Sequence, residues 1–266
     1  MHELTPTARF RRLHVPGSPL VLFNVWDVGS ARALEEVGAS AIATSSWAIA
    51  TVYGFDDGEL MPRELMLETV RRIVEGTGLP VTVDLESGYG QTPDDVARTV
   101  GLSAQAGAVG CNLEDRDPSN GSLRTVADVS ARIEAARRAA DAVGNGFFLN
   151  ARTDVFLSGG EVNEDNGAID DVLRRSRAYS DAGADGLFVP GLTDLGKIRR
   201  LADECPLPLN VMRSGEDPSI EALADAGVAR ISHGPMPYLL AMEKLRQVAA
   251  SVRIEVSPPN PGSSGM

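Results

Sequence analysis

AQAGAVGCNLE, residues 104–114, reads as the end of a helix, a glycine stop and the start of a buried strand. Small helix-forming residues run into Gly107, the residue type that turns left-handed at a helix end, and the apolar run beyond it finishes in Glu114 and Asp115. The same grammar returns as EEVGASAIATS (35–45), DAGADGLFVP (181–190) and DAGVARISHG (225–234), so Gly38, Gly183 and Gly227 are expected to stop helices as Gly107 does. Between these units lie PLVLFNV (19–25), LPVTVDL (79–85), GFFLNAR (146–152) and LPLNVM (207–212), most of them introduced by proline or glycine. Alternating the two sets gives about eight strands, each followed by helix-like sequence.

Strands alternating with helices build a parallel sheet, and about eight such units in about 250 residues is the size of a (β/α)8 TIM-type barrel. A doubly wound sheet would need a Gly-x-Gly-x-x-Gly turn after its first strand, which NVWDVGSARA (24–33) does not supply. No polar linker interrupts residues 10–250, so one barrel domain over 1–250 is expected, followed by a flexible Pro/Gly/Ser-rich tail over 251–266.

The 266 residues are 43% hydrophobic, enough for one large core. A formal net charge of -12 and the lack of basic stripes argue against nucleic acid, so an anionic small substrate would need local positive charge or a metal. The N-terminus has no apolar core of a secretion signal, and no apolar run approaches the roughly 18 residues of a membrane span. A cytoplasmic protein without membrane partners is expected. Cys111 and Cys205 form no CxxC pair, which argues against a disulfide framework or a thiolate zinc site, and Cys111 reads as inert core.

In a β/α barrel the chemistry gathers at the C-terminal ends of the strands. VTVDLESGYGQ, residues 81–91, ends one strand with Asp84 and Glu86 two residues apart, a spacing that directs both carboxylates to one face. Like charges so close need a cation, unless the pair is a plain surface turn. Glu114 ends the adjacent strand, and Asp84, Glu86 and Glu114 together form an all-oxygen set that suits Mg2+, or Mn2+, rather than zinc. Arg152, on the next strand, is placed either to clamp a substrate carboxylate or to neutralise Glu114, while Thr44-Ser45-Ser46 offers hydroxyls and N–H groups to the same anion. Trp47, Tyr53, Asn150 and Asn210 are candidates for substrate contact. His233 reads equally as a ligand-facing acid/base or a structural side chain, Asp27 as a helix cap in competition with Ser30, and His2 and His14 have no evident partner. Two polar loops, 48–62 and 114–126, look like covers over the barrel mouth.

These motifs resemble those of the isocitrate lyase/phosphoenolpyruvate mutase superfamily over about Pro19 to Glu243. DLESGYG at 84–90 is similar to the family's D-x-D-x-G-[YF]-G metal motif, Leu113-Glu114-Asp115 to its L-E-D motif, Ala151-Arg152 to its A-R strand, and Ser45-Ser46-Trp47 to its carboxylate-binding turn; its loop aspartate falls on Asp57. The resemblance implies a Mg2+-dependent barrel enzyme that makes or breaks carbon–carbon or carbon–phosphorus bonds of small 2-oxo or 2-hydroxy carboxylates through an enolate. It implies Asp84 as direct metal ligand, Glu86 and Glu114 bound directly or through water, and a homodimer or homotetramer that exchanges the last helix.

The chain also departs from the pattern. DRDPSNGS (115–122) stands where the lyases carry a Lys-[KR]-Cys-Gly-His loop, and Pro190-Gly191-Leu192 where they carry a glutamate. Arg116 can stand in for the lysine that follows the L-E-D motif in phosphonomutases. The leading expectation is a Mg2+-dependent C–C lyase or hydrolase with Asp57, Arg116 or His233 handling protons. The alternatives are a phosphonomutase or phosphonopyruvate hydrolase, and a non-catalytic barrel that binds a 2-oxo acid.

Overall fold

The computed structural model describes residues 4–144, 146–157, 167–215 and 218–252. Within them nine strands lie in one all-parallel sheet: β1 (Leu20–Leu22), β2 (Asn24–Val25), β3 (Ile42–Thr44), β4 (Val81–Asp84), β5 (Gly110–Glu114), β6 (Phe148–Arg152), β7 (Gly186–Val189), β8 (Leu209–Met212) and β9 (Arg230–Ser232). PLVLFNV, expected as one strand, is split at Phe23. Its first half pairs with β9 and its second with β3, so β1 and β2 form one stave serving opposite neighbours, and eight staves close into a barrel. Strands covered on both faces need continuous apolar residues, which is why these segments are legible as runs rather than alternations.

The helices are α1 (Pro6–Arg12), α2 (Val28–Glu36), α3 (Ser46–Val52), α4 (Arg63–Gly76), α5 (Pro93–Gln105), α6 (Val126–Val143), α7 (Gly167–Asp181), α8 (Leu195–Glu204), α9 (Ile220–Asp225) and α10 (Met236–Ser251). Gly38, Gly107, Gly183 and Gly227 follow α2, α5, α7 and α9 with φ of 83°, 92°, 101° and 87°. Each repeats one pair of bonds. At Gly107 its own N–H reaches the Ala104 carbonyl at 3.1 Å and the next N–H, of Ala108, reaches Ser103 at 3.2 Å. This 5→2 and 6→1 pairing closes the helix and aims the chain back into the sheet. Asp27 caps α2 in a reciprocal box with Ser30, so both candidates for that cap take part.

Most of the core lies between the strands and their helices. A second cluster fills the N-terminal end of the barrel, where Phe10 of α1 packs with Leu20, Leu22, Ala43, Val109 and Phe148. His14 belongs to this plug, stacked on Phe148 with ring centroids 4.2 Å apart; His2 lies outside the described residues. Burial, reinforced by the nearby Arg230 charge, holds the His14 pKa down to about 3. An imidazole neutral in the fold but basic near 6.5 when unfolded contributes stability that is complete above pH 6.5 and lost as pH falls toward 3. His14→Phe is expected to shrink the stability difference between pH 7 and pH 4 by on the order of 3 kcal/mol in urea unfolding. An unaltered pH profile would mean that the folded protein carries the imidazolium.

No helix among the described residues is long and apolar enough to cross a membrane. The final helix α10 has no buried residue and exposes Leu240, Leu245 and Val248. The expected flexible tail lies, from residue 253 on, outside the described residues.

Candidate active site

Asp84 ends β4, and there the strand alternation stops. Glu86 and Tyr89 adopt left-handed φ of 51° and 56°, so the expectation that Asp84 and Glu86 share a face is corrected by the turn between them. Glu86 instead accepts the N–H groups of Gly58 and Glu59 at 2.8 and 2.7 Å and the Tyr89 hydroxyl at 3.1 Å. Glu59 reaches back, accepting from Ser87 Oγ and Tyr89 N, both at 2.7 Å. The loop expected as a cover is therefore latched to the metal-like motif, and its first residues form α3. The latch holds Asp57 in the cleft. Burial, then Asp57 and Asp84, push the Glu86 pKa up to about 8.

The cleft encloses about 170 Å3 at the C-terminal ends of the strands. Its polar lining is Asn24, Ser45, Ser46, Asp57, Asp84, Asn112, Arg152 and Ser232, and its apolar lining includes Trp47, Leu157, Phe188, Pro190, Met212 and Pro235. Asp84 Oδ2 accepts from Ser46 Oγ at 2.9 Å, whereas its Oδ1 is buried without a partner. Burial and the adjacent Asp84 raise the Asp57 pKa. Ser45 caps α3 through the Ala48 N–H at 3.3 Å, leaving the first N–H groups of that helix without intrahelical acceptors. Among the described residues no three His, Cys, Asp or Glu side chains gather closely enough to hold an ion. Asp84, Glu86 and Glu114 thus do not converge as a direct set, because Glu86 is engaged by the latch and Glu114 by an arginine.

That arginine is Arg152, register partner of Glu114. Its Nη1 lies 2.7 Å from Glu114 Oε2, and its other nitrogens bind both oxygens of Asp154 at 2.6 and 2.9 Å. Burial opposes its charge, but Glu114, Asp154 and Asp84 raise its pKa. Burial raises the Glu114 pKa well above the usual carboxylate range despite the arginine. Arg152 lines the cleft and is simultaneously paired, so both uses open to it in the sequence meet in one side chain.

Arg116 stands outside the cleft lining, donating to the Leu157 carbonyl at 3.3 Å with Nε 3.8 Å from Asp154. His233 is also outside it: Nδ1 lies 3.0 Å from the Leu22 carbonyl and the ring stacks on Phe23 at 4.3 Å. Asn150 and Asn210 are buried beneath the floor, bonded to Asn112 and Ser232 respectively. Tyr53 donates nothing to the cleft and meets Thr69 Oγ1 at 3.1 Å. Sequence reading assigned no part to Asp154, whose only signal is its place two residues beyond Arg152, or to Asn112.

A family model described as phosphoenolpyruvate phosphomutase matches residues 10–253. The chain belongs to that family. Family membership extends the superfamily resemblance seen in the motifs to nearly the whole chain. A 2-methylisocitrate lyase of Salmonella typhimurium is 30% identical over 258 residues, covering 93% of this chain and 84% of its own. A solved Burkholderia cenocepacia J2315 structure, described provisionally as a phosphonomutase, is 57% identical with a TM-score of 0.89, covering 92% of this chain and 99% of its own. A phosphonopyruvate hydrolase solved in complex with oxalate and Mg2+ shares the fold at 21% identity, TM-score 0.80, covering 97% and 93% of the two chains. This phosphomutase-family chain is thus similar both to a 2-methylisocitrate lyase and to a structure described as a phosphonomutase.

Proposed function

We propose that the chain is a Mg2+-dependent lyase that cleaves a C–C bond of a small 2-oxo or 2-hydroxy carboxylate. The carrying observation is the unpartnered Asp84 Oδ1, buried beside Asp57 in a cleft whose neighbouring donors suit an acid. A buried acceptor without a partner, next to a second carboxylate, is relieved by a hard cation, and Mn2+ would satisfy the same oxygens. Asp84 would hold the ion directly. Asp57, Glu86 and Glu114 would meet it through its water shell, since Mg2+ commonly keeps several waters. When bound, the cation supplies positive charge against the enolate oxygen that bond cleavage creates.

The chain's own groups do the rest. The N–H groups of Ser46 and Trp47 and the hydroxyl of Ser45 receive the substrate carboxylate, and Arg152 lines the same cleft. Of the three proton-handling candidates, Asp57 lines the cleft. Its raised pKa fits it to take the proton of a 2-hydroxyl as the C–C pair withdraws into the departing enolate, which is then protonated in turn. A cleft of about 170 Å3 suits an acid of a few carbons. No helix among the described residues is long and apolar enough to cross a membrane, and the net charge of -12 disfavours nucleic acid, so we read the chain as a small-molecule enzyme in a cytoplasmic setting.

The second reading, phosphonomutase or phosphonopyruvate hydrolase, is favoured by the Burkholderia relative. A phosphonate would add a second anionic group, however, and among the described residues Arg152 is the one cation lining the cleft, already bound to Glu114 and Asp154. A panel of oxaloacetate, alkyl-substituted malates and phosphonopyruvate, assayed with Mg2+, tests the two. Turnover confined to phosphonopyruvate would reject C–C cleavage, and metal-dependent oxalate binding without any product would leave a binding barrel.

The exposed leucines of α10 support a homodimer or homotetramer built on that helix. Leu240→Glu together with Leu245→Glu is expected to give a monomer in sedimentation; an unchanged mass would place the interface elsewhere.

A further inference from the structure

Asn112 lies on β5 in register with Asp84 on one side and Asn150 on the other, and its side chain reaches the cleft floor. Two donors from beneath meet its Oδ1: Asn150 Nδ2 at 2.9 Å and Arg230 Nη2 at 3.3 Å. A guanidinium only donates, so the amide oxygen must face Arg230 and the NH2 must turn the other way. Among the described residues that NH2 has no acceptor.

Arg230 is an unusual residue for a barrel interior. It is fully buried on β9, and its Nε and Nη1 have no partner among the described residues. Burial lowers its pKa only to about 9, with Asp84 and Cys111 opposing, so it stays charged at neutral pH. A buried cation without a bound carboxylate costs stability, and replacing such groups by apolar ones is often stabilising. Among the described residues the one hydrogen bond its side chain makes is to the amide on the cleft floor.

We propose that Asn112 donates a hydrogen bond from Nδ2 to an oxygen of the bound acid, and that Arg230 is the positioning residue that locks the amide in this orientation. Its charge also adds positive potential beneath a cleft where Arg152 is already paired. The inference rests on the cleft being an acid-binding site.

Calorimetric titration of the full chain with oxalate at saturating Mg2+ tests it. Asn112→Asp exchanges the donor for an acceptor that can still pair with Arg230, and Asn112→Ala removes the donor alone. Both are expected to lower oxalate affinity at least about tenfold, the loss of one charge-assisted hydrogen bond. Arg230→Met is expected to weaken oxalate binding about threefold or more, with a melting temperature equal to or above that of the wild type. Arg230→Lys, which can still donate to Oδ1, restores most of the affinity. A purely structural arginine would move the melting temperature and not show this rescue. Wild-type affinity in both folded Asn112 variants would overturn the proposal, as would Arg230→Lys binding no better than Arg230→Met. Failure of the wild type itself to bind oxalate would instead overturn the acid-site reading, separating the two cases.

Discussion

Asp84→Ala should lower turnover by at least about a thousandfold, some 4 kcal/mol of barrier, and remove metal-dependent oxalate binding while leaving the barrel folded. The fold loses little because Asp84 contributes little to it: one bond from Ser46 Oγ at 2.9 Å, about 1 kcal/mol, is set against an Oδ1 with no partner. Removing the carboxylate also relieves its repulsion with Asp57 and Glu86, both of which it pushes toward protonation. The melting temperature without metal is therefore expected to stay level or rise. Asp84→Asn keeps the shape and should lose the metal as well, which separates charge from packing. Glu86→Gln offers the contrast. Its oxygen can still accept from Gly58 and Glu59, so the latch should survive and the metal affinity should fall far less than in Asp84→Ala. Calorimetry that finds Mg2+ and oxalate bound by Asp84→Ala with wild-type affinity would overturn the metal site.

The barrel was legible because its signals are local. A glycine after a helix has few uses other than the left-handed stop seen at Gly38, Gly107, Gly183 and Gly227, and an apolar run after it has to be a strand. The strand-end list was legible for the same reason, since topology alone carries Ser46, Asp84 and Arg152 to one mouth. The direction of each side chain was not. Glu86 swings to the 58–59 backbone because a non-glycine residue takes a left-handed φ, which nothing in DLESGYG announces. His233 could have faced either way; a bond to the Leu22 carbonyl, from a segment 211 residues away, decides it. Asn112 was hidden in a run that reads as core, and only the cross-barrel contact from Arg230 gives its amide a direction. The α1 plug escaped notice because Phe10 and His14 find their partners across the barrel, on β6.

Asp115→Ala is expected to cost about 3–5 kcal/mol of stability, the largest structural effect of any site-adjacent substitution proposed. Asp115 is completely buried and accepts four bonds: Thr153 Oγ1 at 2.7 Å, Asp154 N and Tyr179 Oη at 3.0 Å, and Arg175 Nη1 at 3.1 Å. Its removal leaves a buried guanidinium short of its counter-charge and three donors short of an acceptor. The damage should also reach the chemistry. Asp115 fixes the backbone of Asp154, whose carboxylate grips Arg152 through two bonds, so loosening the first should release the orientation of the last. KM for the acid should rise more than kcat falls. Tyr179→Phe removes one donor to Asp115 and one acceptor of Arg175 Nη1, and should cost about 1–3 kcal/mol with KM unaltered. Asp115→Asn discriminates further, because one of its two ends must point N–H groups at donors already present. Since burial raises the Asp115 pKa, wild-type stability in the asparagine variant would mean that the carboxyl is held protonated and that Arg175 is balanced by Asp171, 3.0 Å from its Nε, instead.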